Sequence, residues 1–243
     1  MLKVYNCDLH IHTCLSPCAE LDMHPKAIVR QALLKKLDMI AVCDHNASAN
    51  APYVIAAASG ANLKVLPGME ITTSEEVHLL ALLETLSDLT KLQAVIDQHL
   101  FGENDEKRFG VQAIVNEQGE VEGIENKMLI GATDLAIDSI VSTIHQLGGL
   151  AIPAHIDRES FSILSQLGFI DDQSSFDALE ISKLTGIRQA RIQYEDLGRY
   201  PFLTSSDAHF IKDIGTSTTK ILLEEPTFAE LKMAIFKQNG RHI

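Results

Sequence analysis

The chain has 243 residues, is 46% hydrophobic and carries a formal net charge of −13. This length suits one α/β barrel, and the acidity argues against general attraction to nucleic-acid backbones, although metal ions could still hold an anionic substrate. No stretch approaches the ~20 apolar residues of a membrane span and no signal peptide is evident, so we expect a cytoplasmic protein without a membrane partner.

Apolar runs and helical patterns alternate along the chain. The apolar runs predict strands at residues 3–10, 39–44, 63–70, 77–83, 150–154, 176–181, 201–205 and 220–223. Apolar residues three or four apart predict helices at 28–37, 89–100, 135–147, 161–167, 186–197 and 228–236. The alternation favours parallel pairing, in an open doubly wound sheet or a closed barrel. We expect residues 1–243 to form a single domain.

Residues 101–148 interrupt this alternation. Two short alternating runs within 109–125 flank a Gln118-Gly119 turn, which predicts a β-hairpin, and a helix follows over 133–148. We interpret this segment as a hairpin-plus-helix insertion in the barrel, flanking the functional site. All four cysteines precede residue 44, and this clustering favours reduced thiols over a disulfide framework.

Six of the ten histidines lie at the ends of apolar strands, together with two carboxylates. The residues are His10, His12, His45, Glu70, His78, His155, Asp207 and His209. His78 differs in that it stands at the start of its apolar run. Strand ends of a parallel barrel converge on one face, and imidazole and carboxylate ligands suit zinc, manganese or iron. Buried without partners, such groups cost several kcal/mol, so the pattern predicts a shared metal site.

These residues stand in the ordered motifs DLHIHT, CDHN, PGMEITT, VHLLAL, PAHIDR and SSDAH. In this order the motifs closely resemble those of the PHP (polymerase and histidinol phosphatase) superfamily, over nearly the whole chain. The resemblance implies an α/β fold, a distorted (β/α)7 barrel, and a phosphoesterase with two or three divalent ions. It assigns His10, His12, Glu70 and Asp207 to a first ion. Glu70 then bridges to a second ion with His78 and His155, and His45 and His209 hold a third.

The third ion of the family takes a further ligand, usually Asp or His, from the loop after H-x-H. Here that loop reads TCLSPCAELD, with Pro17 and Cys18 at the position of the ligand. We consider the Cys18 thiolate the first candidate and Glu20 the second. A thiolate ligand would favour zinc or iron over manganese.

Further residues near these motifs are candidates for supporting roles. Arg158, three residues beyond His155, could clamp a phosphate, and Lys183 is a weaker candidate. Asp8 and Asp44 precede ligand histidines, and each either orients a ligand imidazole or caps a loop. We assign Glu70, Asp207, His209 and Arg158 to catalysis.

The leading functional hypothesis is a phosphoesterase that hydrolyses a small phosphorylated metabolite or nucleotide through a metal-bridging hydroxide. One alternative is an exonuclease on short single strands, which would need a basic groove with exposed aromatics. Aromatic residues make up only 5% of the chain, and there is no Trp. The other alternative is a catalytically silent binding module stabilised by metal.

Overall fold

A computed structural model describes residues 1–243. Its strands are β1 (Lys3–Ile11), β2 (Met39–Val42), β3 (Lys64–Thr72), β4 (His78–Leu82), β5 (Ala113–Val115), β6 (Val121–Ile124), β7 (Leu150–Pro153), β8 (Leu179–Ile181), β9 (Phe202–Thr204) and β10 (Thr219–Leu223). Its helices are α1 (Pro25–Leu34), α2 (Ala51–Ala57), α3 (Leu86–His99), α4 (Glu106–Phe109), α5 (Ile137–Gln146), α6 (Ile163–Leu167), α7 (Gly186–Gln193) and α8 (Phe228–Ile235). None of these helices is long and apolar enough to cross a membrane.

The central sheet has six strands in the order β10-β1-β2-β3-β4-β7. Strands β1, β2 and β3 run parallel, as predicted, and every residue of β2 is buried. The continuous apolar sequence of β2 follows from this position, since helices and neighbouring strands cover both of its faces. Helix α1 buries Ile28, Val29 and Ala32, and the His24 side chain caps its first turn before Pro25.

The prediction of parallel pairing is wrong for three pairs of strands. Strand β4 pairs antiparallel with β3 and with β7, and β10 pairs antiparallel with β1. The physical reason for the first pair is the short connection over residues 73–77. A parallel neighbour needs a crossover of a dozen or more residues, whereas an antiparallel one needs only a tight turn.

The sheet curls into a distorted barrel through strands β8 and β9, which pair parallel with each other. Backbone hydrogen bonds connect β7 to β8, with Asp177 N donating to Ala151 O at 3.0 Å. At the other side His12 N donates to Ala208 O at 3.0 Å, connecting β1 to the segment after β9. The seven strands β1, β2, β3, β4, β7, β8 and β9 thus surround one axis, which confirms the predicted fold.

The insertion contains the predicted hairpin, formed by β5 and β6, and the predicted helix 133–148 is observed as α5. The hairpin packs on the loop after β1: Ala113 N donates to Cys14 O at 3.1 Å. The Asn50 side chain lies between the two, donating to Thr13 Oγ1 at 2.9 Å and accepting from Val115 N at 2.9 Å. The insertion therefore supports a loop that begins at the candidate site. All four cysteines are free thiols.

Candidate metal centre

The eight predicted ligands meet at one end of the barrel. Strands β1, β2, β3, β7 and β9 bring their carboxyl ends there, whereas His78 is the first residue of β4. Because β4 runs antiparallel to β3, its beginning lies at the same edge, and Thr72 pairs directly with His78. The unusual sequence position of His78 thus follows from strand direction. We call these residues the histidine–carboxylate cluster: His10, His12, His45, Glu70, His78, His155, Asp207 and His209.

Glu70 lies at the centre of the cluster and is 1% exposed. Its Oε2 atom is 3.4 Å from His10 Nε2, 3.3 Å from His12 Nε2 and 3.1 Å from His45 Nδ1. Its Oε1 atom is 3.0 Å from His78 Nδ1 and 3.2 Å from His155 Nε2. The two oxygens therefore face different groups of imidazoles.

Asp207 completes one of these groups. Its Oδ1 atom is 3.4 Å from His10 Nε2 and 3.2 Å from His12 Nε2. The two Nε2 atoms are themselves 3.1 Å apart. Four ligand atoms placed tetrahedrally about 2.1 Å from a zinc ion would be about 3.4 Å apart. The spacing of His10, His12, Glu70 and Asp207 fits one such ion.

Several of these short contacts lack hydrogen-bond geometry. His45 Nδ1, His78 Nδ1 and Asp207 Oδ1 are buried and have no hydrogen-bond partner, although each lies close to an oppositely polar atom. Their lone pairs are available to a shared cation rather than to one another. Three groups have ligand atoms mutually within 4.8 Å: His12–His45–His209, His10–His12–Glu70 and His45–Glu70–His78. Each group could hold a metal ion.

The electrostatics of the cluster also favour a cation. Burial raises the pKa of Glu70, but the nearby His78, His10 and His45 together hold it well below its usual range. Burial opposes the charged form of His12, yet the close carboxylates of Asp207 and Glu70 raise its pKa to about 9. Burial and the charge of His12 lower the pKa of His209 to about 4. Ionised carboxylates and the neutral His209 imidazole are forms that bind metal, whereas an ion bound by His12 would displace its proton.

Two buried side chains orient the imidazoles of His10 and His12. Glu180 Oε2, in β8, lies 3.0 Å from His10 Nδ1 and also accepts from His155 N at 3.2 Å. Ser16 Oγ lies 3.0 Å from His12 Nδ1 and donates to Asp44 Oδ1 at 2.7 Å. Both contacts place the ring proton on Nδ1 and direct Nε2 toward the cluster, as a metal ligand requires.

Sequence reasoning missed Glu180 and Ser16. The signal for Glu180 is a lone acidic residue inside the apolar strand ALEI, which burial makes costly without a partner. Asp44 orients His12 only through Ser16. Asp8 instead accepts hydrogen bonds from Ser206 N at 2.9 Å and Gly215 N at 2.8 Å. It therefore has the second of its two predicted roles, capping a loop.

The remaining predicted residues differ in their distance from the cluster. Arg158 Nη2 donates to Asp207 Oδ2 at 2.5 Å and is 35% exposed, so it lies at the rim. Lys183 instead faces Asp213 at 3.8 Å. Cys18 is exposed and belongs to none of the three ligand groups. Glu20 is exposed, and its backbone N donates to His209 O at 3.0 Å.

The backbone is strained at two residues of the cluster. His155 has φ of 31° and Asp207 has φ of 48°, both in the left-handed region that non-glycine residues avoid. Such conformations cost about 1–3 kcal/mol each and persist where the surrounding structure requires them. Here they turn the chain at the ends of β7 and β9, bringing each side chain into the cluster.

The members of the cluster differ in their exposure to solvent. His209 and His78 have side-chain exposures of 21% and 11%, whereas His10 and His12 have 0%. The Phe161 ring stacks on His78 with centroids 4.7 Å apart and planes at 21°. We call the surface around His78, Phe161, Arg158 and His209 the mouth of the site, because the partly exposed side chains of the cluster and its neighbours lie there.

Two family models match the sequence. The PHP domain model matches residues 8–158, and the PHP-associated model matches residues 188–239. The chain is 33% identical over 105 residues to the uncharacterized protein YqxK of Bacillus subtilis; the match covers 41% of this chain and 27% of YqxK.

Solved structures share the fold. The lesion-specific endonuclease Q of Pyrococcus furiosus superimposes with a TM-score of 0.79 at 20% identity, covering 99% of this chain and 58% of that one. Endonuclease Q in complex with a 27-mer duplex bearing an abasic lesion gives 0.75 at 19% identity, with the same coverage of 99% and 58%. A Bifidobacterium adolescentis protein assigned as a metal-dependent phosphoesterase gives 0.61 at 16% identity, covering 96% of both chains. The chain thus spans little more than half of the endonuclease chains.

Proposed function

This chain belongs to the PHP domain family, whose members are mostly phosphoesterases, and we propose that it hydrolyses a phosphate ester at its histidine–carboxylate cluster with the help of divalent ions. The substrate we propose is a small phosphorylated metabolite or a nucleotide. We further propose that residues 1–243 act as one domain, since strands from both family-model matches build the cluster.

The observation that carries this proposal is the spacing within one group of ligands. The atoms contributed by His10, His12, Glu70 and Asp207 lie 3.1–3.4 Å apart in all five pairs measured. Buried side chains that merely packed together would satisfy their polar atoms, and Asp207 Oδ1 in this group has no hydrogen-bond partner. Two ionised carboxylates among six imidazoles provide ligands for two or three zinc, manganese or iron ions.

Glu70 is suited to join two ion sites because its two oxygens face different imidazoles. We propose that Oε2 serves the ion held with His10, His12 and Asp207, and that Oε1 serves the ion held with His78 and His155. Divalent ions supply charge stabilisation on the phosphoryl oxygens and lower the pKa of bound water. The protein needs no nucleophilic side chain of its own.

We propose a third ion between His45 and His209, with Cys18 as the additional ligand and Glu20 as the alternative. Desolvation of the sulfur, with the negative charges of Glu70 and Asp207, raises the pKa of the Cys18 thiol to about 12, so an ion bound there would have to displace the thiol proton. The test is the metal content of Cys18→Ser, since loss of one ion per chain supports a ligand role. Unchanged content assigns the position to Glu20 or to water.

Arg158 has the placement of an anion-binding residue. Its guanidinium pairs with Asp207 Oδ2, opposite the oxygen that faces His10 and His12, and it remains 35% exposed at the mouth. We propose that its free N–H groups bind an equatorial oxygen of the phosphoryl group, while the pairing with Asp207 keeps the guanidinium in place.

A second candidate function is cleavage of nucleic acid at a damaged site. The likeness to endonuclease Q over 99% of this chain supports it. The net charge of −13 opposes it, because phosphate-backbone contacts need clustered Lys and Arg. Among nucleic acids, a short single strand has few phosphates and would be repelled least by this negative charge.

One assay separates these functions. Metal-loaded protein is incubated with phosphomonoesters, a cyclic dinucleotide, short single strands and a duplex with an abasic site. We expect hydrolysis of a small phosphoester, and loss of that activity by orders of magnitude in Glu70→Gln with an unchanged circular dichroism spectrum. Cleavage of the duplex alone would favour the endonuclease, and inactivity on every substrate with metal bound would refute a phosphoesterase.

A further inference from the structure

One loop, residues 155–162, supplies three different groups to the mouth. His155 lies in the cluster, Arg158 contacts Asp207, and Phe161 stacks on His78. The loop is fixed at its end, where Ser162 Oγ donates to Arg158 O at 2.7 Å. The roles of His155 and Arg158 follow from the chemistry of phosphate esters, but that chemistry gives no role to a phenylalanine ring.

Phe161 has two features that packing alone does not explain. Its φ is 55°, in the left-handed region that a bulky residue normally avoids. Its residue exposure is 40%, although one ring face covers the buried His78 imidazole. The ring therefore covers His78 while a substantial part of the residue remains accessible to solvent. Strain retained beside an active site is a reason to look for function.

A second half-exposed aromatic residue lies beside the other accessible histidine. Phe210 follows His209 directly, is 40% exposed, and has Lys212 Nζ 5.3 Å from its ring centroid. The Phe161 ring and the cation Arg158 thus come from one loop at the mouth, and Phe210 and Lys212 lie on the chain just after His209. A substrate that used all of these groups would carry both a phosphate and a flat aromatic group.

We propose that Phe161 is a specificity-determining residue that stacks on a nucleobase attached to the phosphate ester bound at the cluster. The proposal rests on the proposed function and names its substrate class as base-bearing phosphoesters. A bound nucleobase would remove apolar surface of the Phe161 ring from water. A sugar phosphate, which has no base, would leave that surface exposed. Stacking between a base and an aromatic side chain accepts any base, because every base has a π face.

The experiment compares adenosine 5′-monophosphate with ribose 5-phosphate, which differ by the base alone. Binding of each to metal-loaded protein is measured by calorimetry for the wild type, Phe161→Ala, Phe161→Trp and Phe169→Ala. Phe169 is 64% exposed, makes no stacking contact with a histidine, and so serves as the matched control. We expect the wild type to prefer adenosine 5′-monophosphate, and Phe161→Ala to reduce that preference by about 5- to 150-fold. Phe161→Trp should retain it, and Phe169→Ala should not change it.

Equal weakening of both ligands in Phe161→Ala, or no preference in the wild type, would overturn the proposal, because Phe161 would then only pack against His78. Metal content of Phe161→Ala is measured in parallel and should equal that of the wild type. Binding can be measured without turnover, so the two proposals can fail separately. If the protein prefers the base-bearing ligand through Phe161 but hydrolyses no phosphoester, only the proposed phosphoesterase function is refuted. Hydrolysis without such a preference would refute the role of Phe161 alone.

Discussion

Removal of the Glu180 carboxylate should weaken metal binding although Glu180 belongs to none of the three ligand groups. Glu180 Oε2 contacts His10 Nδ1 at 3.0 Å and His155 N at 3.2 Å, so one oxygen orients residues that we assign to two different ions. Loss of a hydrogen-bond partner behind a ligand histidine typically lowers metal affinity by about 10- to 100-fold, or about 1.4–2.7 kcal/mol. We expect this loss in Glu180→Ala and a smaller one in Glu180→Gln, whose amide oxygen still accepts both hydrogen bonds.

Glu230 provides a matched control. It is also a buried carboxylate with two partners, accepting from Glu224 N at 2.7 Å and from Arg241 Nη2 at 2.8 Å. Both alanine variants should lower the free energy of unfolding by about 1–3 kcal/mol for each buried donor left unpaired. Only Glu180→Ala should release metal to a chelator at a lower chelator concentration. Equal retention of metal by the two variants would refute the orienting role of Glu180.

Three further predictions concern the ions, Arg158 and Gly68. Chelation of the ions should lower the melting temperature measured by calorimetry. A ligand present at a hundredfold its Kd stabilises the folded chain by about 2.7 kcal/mol. An unchanged melting temperature would contradict a metal site. Arg158→Lys should lower kcat/KM about tenfold, because lysine cannot make the paired hydrogen bonds of a guanidinium group. Unaltered kinetics would show that Arg158 does not bind the substrate. Gly68→Ala should lower the free energy of unfolding, measured by urea denaturation, by about 1–3 kcal/mol. The added Cβ would lie 2.9 Å from Cys43 Sγ and 3.0 Å from Ala81 O. An unshifted midpoint would show that β3 can move to accommodate it.

The parts of the fold that the sequence predicts are those with a local signal. The apolar runs of β1, β2 and β3 and the spacing in α1 and α5 reflect burial of one segment at a time. Pairing direction depends on which segments meet, and no local pattern records it. His78 illustrates the difference: its type marks it as a ligand, but its place at the start of a run makes sense only once β4 is known to run antiparallel.

The supporting residues of the site were harder to predict than the ligands. Ligand types are few, whereas a carboxylate that orients a histidine has no characteristic neighbours in sequence. Glu180 contacts His10 across 170 positions of the chain. Phe161 was predicted as the first residue of a helix, but Ser162 caps α6 and Phe161 precedes the cap in a left-handed conformation. Its stacking on His78 depends on that local turn.

The ligands are drawn from almost the whole length of the chain, from His10 to His209. An unfolded chain would have to close several long loops to gather them, and each closure costs entropy. The complete cluster is therefore absent until the barrel has closed, and we expect the proposed ions to bind with full affinity only to the folded chain. A nascent chain that ends before residue 207 lacks both Asp207 and His209. Metal acquisition should thus follow folding, and the concentration of free metal in the cell at that moment will decide which ions the protein carries.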